Sequence, residues 1–500
     1  MKVVFRVDAS LLIGSGHVMR CMVLADELKR KGHNILFACT PLEGDLRSFI
    51  SDSGFDVVTL PVPEHKVTPK HQSDYVSWLQ KSVLEDARDF IATVKSADLV
   101  ITDHYAIGKE WQSIAISSLN CRLFALDDLA RCHQADLILD QTLGRNKLDY
   151  YESNSQVLAG SEYALLKPNF ANEREFALSR TLPEGIPKVL ISMGGVDVPN
   201  ATLKVLESLH RHIRAEFTVL LSPRAPHFEE VKAWCLNRTN VRHIAFVSDM
   251  AALMLKHDIA IGAPGTTSWE RACLGLPNII VPLADNQQMI CEQLVKRKAA
   301  KKVAIGDIDK CMLQLYQATL EQWDEYKSAN LALCDGRGAK RVTFELEQLF
   351  VDARDKFCLT YASQEDIPLV YEWQCHPETR KYALNTSVPA WDEHKVWMSN
   401  KIQSATDYFY MVTNRTHGSK VGVVRLDRIS EGQYIVSIFV EPNSYGKGIA
   451  SKVLLMVDAI HPDVTLHAKV LKVNFASQRL FKKARYHQVD EENYIRKPIN

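Results

Sequence analysis

Short apolar runs alternate with stretches of helical spacing through the first 350 residues. Residues 3–7, 35–39, 99–102 and 123–126 are mostly apolar runs of four or five positions, the pattern of strands buried on both faces. Between the first two runs, Val18, Met22, Ala25 and Leu28 recur at three- and four-residue intervals and the pattern stops at Gly32, which predicts a helix over 17–31. A second series follows the polar stretch 172–187, with apolar runs at 189–192, 217–221, 258–261 and 279–281.

Strand, helix, strand with short connections predicts parallel sheets covered by helices on both faces. Two such series predict two Rossmann-like α/β domains, 1–170 and 171–352, facing each other across a cleft. After about residue 355 the pattern changes. Runs at 408–412, 421–426 and 434–440 follow one another without long helices between them, which predicts a mostly antiparallel α+β module over 353–500.

Lys plus Arg and Asp plus Glu each number 60, so the formal charge is zero. That balance argues against a protein that holds nucleic acid by bulk electrostatics. No apolar run reaches the 18 or so residues that a membrane span needs. Asp8 stands where a signal peptide would be apolar, and the 11 cysteines are scattered with no Cys-x-x-Cys pair. Reduced thiols in a cytoplasm are the expectation, and no metal is implied.

Three segments carry candidate chemistry. The first predicted strand runs into Gly14-Ser15-Gly16-His17 at a helix start, where glycines allow close approach and free N–H groups favour an anion. His17 is the candidate base. Asp8, on the same strand face as Arg6, is expected to orient the His17 imidazole or to pair with an arginine, with a surface salt bridge the plainer expectation for Arg6. Asp103-His104-Tyr105 closes another strand at the same rim.

In the second segment, Gly265-Thr266-Thr267-Ser268-Trp269-Glu270 follows a strand and opens a helix, a receptor for a diphosphate, with Glu270 placed to accept hydrogen bonds from ribose hydroxyls. A plain helix cap is the alternative there. In the third, the strand containing Phe439 and Val440 stops at Pro442, and Tyr445-Gly446-Lys447-Gly448-Ile449-Ala450 leads into a helix. This suits a pyrophosphate at the helix start and a pantetheine arm along the strand edge, with a plain tight strand-to-helix turn as the alternative.

Taken in order, the Gly14–His17 loop, Asp103-His104-Tyr105, Met193-Gly194-Gly195, and Gly265–Glu270 with Asp285-Asn286-Gln287 resemble the UDP-sugar hydrolases of pseudaminic acid biosynthesis, over about residues 1–350. Those enzymes share the two-domain GT-B-like fold of the UDP-GlcNAc transferase of peptidoglycan synthesis. The resemblance implies hydrolysis of UDP-2,4-diacetamido-2,4,6-trideoxy-β-L-altrose to UDP and free sugar. It also implies His17 as general base, Glu270 on the ribose, and Tyr105 and Asn286 lining the sugar site. Residues 356–500 resemble the GNAT N-acetyltransferases, which implies acetyl-CoA as co-substrate. Asn474-Phe475-Ala476-Ser477 resembles a later coenzyme-binding motif, and Trp373-Gln374-Cys375-His376-Pro377 resembles the acetyltransferase of the same pathway. Two departures stand out. Tyr445 occupies a position usually held by Arg or Gln, and Phe481 occupies that of a tyrosine able to protonate the CoA thiolate. The expectation is a bifunctional enzyme that acetylates a UDP-amino sugar and then removes UDP. A UDP-sugar glycosyltransferase is the runner-up, and a non-enzymatic nucleotide-sugar binding protein the third class.

Overall fold

A computed structural model describes the chain except for residues 64–66, 72–73, 183, 285–286, 351–355, 405–406, 431, 463 and 500. It divides into two compact units, Met1–Leu349 and Phe350–Asn500. The first unit contains two sheets. Strands β1 (Lys2–Val7), β2 (Asn34–Cys39), β3 (Asp56–Thr59), β4 (Leu99–Asp103), β5 (Arg122–Leu126), β6 (Leu137–Asp140) and β7 (Gln156–Ala159) pair in parallel in the order β3-β2-β1-β4-β5-β6-β7. Strands β8 (Lys188–Ser192), β9 (Glu216–Leu220), β10 (Val241–Ile244), β11 (Ile259–Gly262), β12 (Asn278–Ile280) and β13 (Lys301–Lys302) form the second sheet, again parallel, ordered β10-β9-β8-β11-β12-β13.

Alternation along β1 explains why the first sheet is covered on both sides. Val3, Phe5 and Val7 point into a core shared with Val18, Leu24 and Leu28 of the helix Gly16–Arg30. Val4 points the other way, onto Phe90 and Trp111. Arg6 shares that second face, and the surface pairing expected for it is not what forms. It is fully buried, with Nη1 2.8 Å from Asp8 Oδ1. Its Nε and Nη2 donate to Asp86 at 3.1 and 2.6 Å, and Trp111 Nε1 donates to the same carboxylate at 2.9 Å. A guanidinium cannot remain charged in a dry core without such partners, so the carboxylates come inside with it.

Strand order reverses between β1 and β4 in the first sheet and between β8 and β11 in the second. At such points the flanking loops diverge and leave a crevice at the carboxyl ends of the strands. The helix Pro168–Ser179 packs on the second sheet through Phe170 and Ala177. The last helix of the unit, Gly338–Gln348, returns to the first, where Ala339, Val342 and Leu346 complete the core of Val3 and Phe5. Its first residue crosses the outgoing chain so closely that a Cβ at Gly338 would lie 2.2 Å from the Ala164 carbonyl oxygen.

The second unit has one sheet, from β14 (Phe357–Tyr361), β15 (Tyr408–Asn414), β16 (Lys420–Ser430), β17 (Gln433–Val440), β18 (Thr465–Lys469), β19 (His487–Gln488) and β20 (Asn493–Arg496), ordered β14-β15-β16-β17-β18-β20-β19. All pairings are antiparallel except β17 with β18, which is parallel and covers only Gln433–Ile435. The strands diverge beyond Ile435. No described helix is long and apolar enough to cross a membrane.

Gly338→Ala should destabilise the first unit by about 1–3 kcal/mol, the usual cost of forcing atoms into packed space. Urea unfolding followed by tryptophan fluorescence measures it. An unchanged midpoint would mean that the two chain crossings are not in tight contact.

Candidate active sites at the cleft and the strand splay

The register Val7↔Asp103 places the end of β4 beside the loop that follows β1. Asp103, fully buried, therefore meets the first two turns of the helix Gly16–Arg30. His17 Nδ1 lies 2.6 Å from Asp103 Oδ1, and Arg20 donates from Nε to Oδ2 at 2.6 Å and from Nη2 to Oδ1 at 2.7 Å. Burial works against this carboxylate's charge, but Arg20 and His17 outweigh it and hold Asp103 well below the usual carboxylate range. It stays ionised, so it fixes the imidazole with a proton on Nδ1 and leaves Nε2 as the basic nitrogen. His17 Nε2 has no hydrogen-bond partner among the described residues.

Of the two roles open to Asp8, Asp103 takes the one on His17, and Asp8 takes the other, pairing with an arginine. The Asp8 carboxylate is 1% exposed and engages Arg6 and the Thr40 amide, the latter at 2.7 Å. Its position beneath the sheet edge follows from the alternation that buries Arg6.

Arg20 also spans to Asp128, donating from Nη1 at 2.7 and 3.0 Å, and the Tyr105 hydroxyl donates to Asp128 at 2.8 Å. Tyr105 stands edge-on to His17, with ring centroids 4.7 Å apart, and stacks on Trp78 at 5.4 Å. Tyr75 meets both Tyr105 and Trp78 at 4.9 Å. Tyr75, Trp78 and Asp128 were absent from the sequence reading. His17 and Arg20 share a helix face, a signal for one carboxylate between them, but no local spacing marks the aromatic wall. Gly14, at φ +79°, and Gly16 have open space where a side chain would stand.

In the second sheet, Gly194 and Gly195 follow β8, and a Cβ on Gly195 would lie 3.1 Å from Ser15 Oγ. The glycine turns of the two sheets therefore face each other closely. Beyond β11, Gly265 precedes the helix Thr266–Cys273. Ser268 Oγ accepts from the Gly265 amide at 3.3 Å and from Arg271 Nη2 at 3.1 Å, and Thr267 Oγ1 donates to the Ala263 carbonyl at 3.4 Å. The hydroxyls of Thr267 and Ser268 so hold the turn, and Thr266 sits at its head. Glu270 Oε2 is buried without a hydrogen-bond partner, and burial pushes the carboxyl up to about 7. An unsatisfied buried carboxylate is costly, which suits a group completed by a ligand. Asn286 lies outside the described residues.

In the second unit, the divergence of β17 from β18 leaves the backbone of residues 436–440, including Phe439 and Val440, unpaired with β18. Tyr445, Gly446, Lys447 and Gly448 lead into the helix Ile449–Ile460, which Ile449 and Ala450 begin. Gly446 and Gly448 both adopt φ +75°, a left-handed conformation that aims successive N–H groups outward. Tyr445 is exposed and its hydroxyl is 3.0 Å from Thr379 Oγ1. Asn474 caps the helix Phe475–Lys483 by accepting from the Ser477 amide at 3.1 Å. Phe481 is core, packed on Tyr486 at 5.0 Å and Tyr494 at 6.2 Å.

The chain resembles known proteins over both units. The glycosyltransferase family 28 C-terminal domain matches residues 192–330, and the acetyltransferase (GNAT) domain matches residues 356–487. An uncharacterized protein of Methanocaldococcus jannaschii is 23% identical over 96% of both chains. The UDP-2,4-diacetamido-2,4,6-trideoxy-beta-L-altropyranose hydrolase of Campylobacter jejuni is 24% identical over 51% of this chain and 81% of its own. The spore coat polysaccharide biosynthesis protein SpsG of Bacillus subtilis is 23% identical over 67% and 95%.

Ligand hydroxyls donating to Glu270 would favour its ionised form, whereas burial in the free protein favours the acid. UDP affinity should therefore fall as pH drops below about 7, and the Glu270→Gln protein should lose that component of the pH dependence. Calorimetry of UDP binding between pH 5.5 and 8.5 compares the two; identical profiles would remove Glu270 from the ligand. Two parallel sheets with facing glycine turns, a splayed mixed sheet after them, and the matches to the glycosyltransferase family 28 C-terminal and GNAT domains make this chain a fusion of a GT-B-like unit with a GNAT acetyltransferase domain.

Proposed function

We propose that the first unit hydrolyses a UDP-linked amino sugar and that the second N-acetylates its precursor with acetyl-CoA. The observation that carries the reading is the Asp103–His17 pair standing at the mouth of a diphosphate-type cleft. UDP is a stable leaving group, so the reaction needs an activated water and a receptor for departing negative charge rather than two paired carboxylates. His17 Nε2 takes a proton from water as its oxygen attacks the anomeric carbon. Nδ1–H remains on Asp103, which stabilises the imidazolium. The bond from the anomeric carbon to the diphosphate oxygen breaks, and the N–H groups at the head of the helix Thr266–Cys273, with those of the Gly194-Gly195 turn, receive the charge. Glu270 holds the ribose, and Tyr105 lines the sugar.

The substrate we assign is UDP-2,4-diacetamido-2,4,6-trideoxy-β-L-altrose, on the similarity to the Campylobacter jejuni hydrolase. Its two acetamido methyls and its C6 methyl suit the aromatic wall of Tyr75, Trp78 and Tyr105. In the second unit, the free edge of β17 pairs with the pantetheine arm and the Gly446–Gly448 amides bind the pyrophosphate. The neutral 4-amino nitrogen of the UDP-sugar attacks the thioester carbonyl, the C–S bond breaks, CoA leaves as the thiolate, and the proton lost by the nitrogen passes to solvent water. Asn474 keeps its amide nitrogen free for the coenzyme while its oxygen caps the helix. Phe481, buried among Tyr486 and Tyr494, supplies no proton to that thiolate. The two reactions run in sequence, because the acetylated product is the substrate of the hydrolase.

Incubation with UDP-4-amino sugars, with and without acetyl-CoA, and mass analysis of the products tests the assignment. Release of UDP with transfer of the sugar to an added alcohol acceptor instead of water would make the first unit a glycosyltransferase. His17→Asn should lower UDP release by about 10²–10⁴-fold, the usual worth of a general base, with UDP affinity nearly unchanged. Asp103→Asn should lower turnover in the same direction, because an amide cannot hold the imidazole in one tautomer as a carboxylate does. Full turnover in either protein refutes the base assignment.

A further inference from the structure

A second concave site opens at the far end of the second sheet. Where β8, β9 and β10 begin, a cavity of about 890 Å³ is bordered by Lys188, Arg211, Arg214, Arg242 and Lys256 against a single carboxylate, Glu216. All five cations are exposed, and none of them forms an ion pair among the described residues. The chain as a whole balances 60 cations with 60 anions, so five to one is a local arrangement and not a reflection of composition. Like charges gathered in a concavity repel one another more strongly than on a convex face, because the walls exclude water that would screen them.

The shape limits what can neutralise them. Lys188 and Glu216 are register partners on β8 and β9, and Arg242 pairs with Thr218 between β10 and β9. Adjacent strands lie about 4.8 Å apart, so the three strand starts span roughly 10 Å. Ala215 and Phe217, both at most 2% exposed, form an apolar floor beneath the charges. A duplex or a lipid surface needs a flat or protruding basic face, whereas this is a recess of the size that takes small ligands. The five residues of β8 separate it from the Gly194-Gly195 turn by about 16 Å, at 3.3 Å per residue.

We propose that this recess binds a small multivalent anion of the phosphate-ester class, with its charged groups on the arginines and lysines. The site is separate from the diphosphate cleft and stands whether or not the hydrolase reading holds.

The probe is inorganic pyrophosphate, titrated calorimetrically into the full-length protein with UDP and CoA already at saturating concentration. One further equivalent should bind, and its affinity should fall at least tenfold in the Arg214→Glu/Arg242→Glu protein and also fall with added salt. Both substituted positions are exposed and remote from the cleft, so UDP binding in the variant should match that of the wild type and thereby reports intact folding. If UDP leaves the cleft open, the additional pyrophosphate appears equally in both proteins, and the difference between them still isolates the recess. No further equivalent in the wild type, or equal affinity in the variant, overturns the proposal. Tighter binding of a 20-nucleotide single strand than of pyrophosphate overturns it in favour of a macromolecular partner.

Discussion

The first unit turns on one carboxylate. Asp103 ends β4 in a position without solvent, and its charge persists only because Arg20 and His17 both reach it from the helix that follows β1. The same contacts that make the buried charge tolerable fix where that helix begins, how the Gly14–Gly16 loop is held open above the sheet, and which nitrogen of His17 is left basic. Arg20 carries the constraint outward to Asp128 and through it to the Tyr105 hydroxyl. Helix, strand end and aromatic wall are thereby linked by charge-assisted hydrogen bonds, which are stronger and more directional than neutral ones. The rigidity of the site follows from the cost of leaving any member of this chain unpaired.

A single backbone device recurs three times: a strand ends, glycines turn the chain, and a helix begins with its amides exposed. It occurs after β1, after β11 and after β17. What distinguishes the three is what stands beside the amides. Beside the first is an imidazole oriented by a carboxylate, beside the second an unsatisfied carboxylate at Glu270, and beside the third the unpaired edge of β17. A turn of this kind favours anions in general, and the three sites differ in the groups that stand beside it.

The parts of this arrangement that were legible in the sequence are the local ones. Mostly apolar runs located β1, β4, β8 and β11 within a residue or two, because strands buried on both faces keep few polar positions. Glycine-rich helix starts were legible for the same reason. Pairings between distant segments were not. A linear reading offers Asp8 as the partner for His17, and only the Val7↔Asp103 register with the inward turn of Arg6 puts Asp103 there instead. The three-residue parallel contact between β17 and β18 inside an otherwise antiparallel sheet leaves no periodic trace. Phe481 matched a position known for a proton donor, yet its surroundings of Tyr486 and Tyr494 make it part of the core, a distinction that depends on residues after it in the chain.

The return of the helix Gly338–Gln348 to the first sheet has a bearing on how the chain is made. Ala339, Val342 and Leu346 close the apolar face presented by Val3, Phe5 and Leu24, residues that leave the ribosome more than 300 positions earlier. Until that helix emerges, the first sheet has strands and flanking helices but an open hydrophobic face. At about 5–20 residues per second, the wait lasts on the order of tens of seconds, long enough for a nascent chain to associate wrongly or to be held by a chaperone. The second sheet, whose elements are nearly contiguous, carries no such delay. Synthesis order and folding order therefore run in opposite directions in this unit: the half translated first is the half completed last.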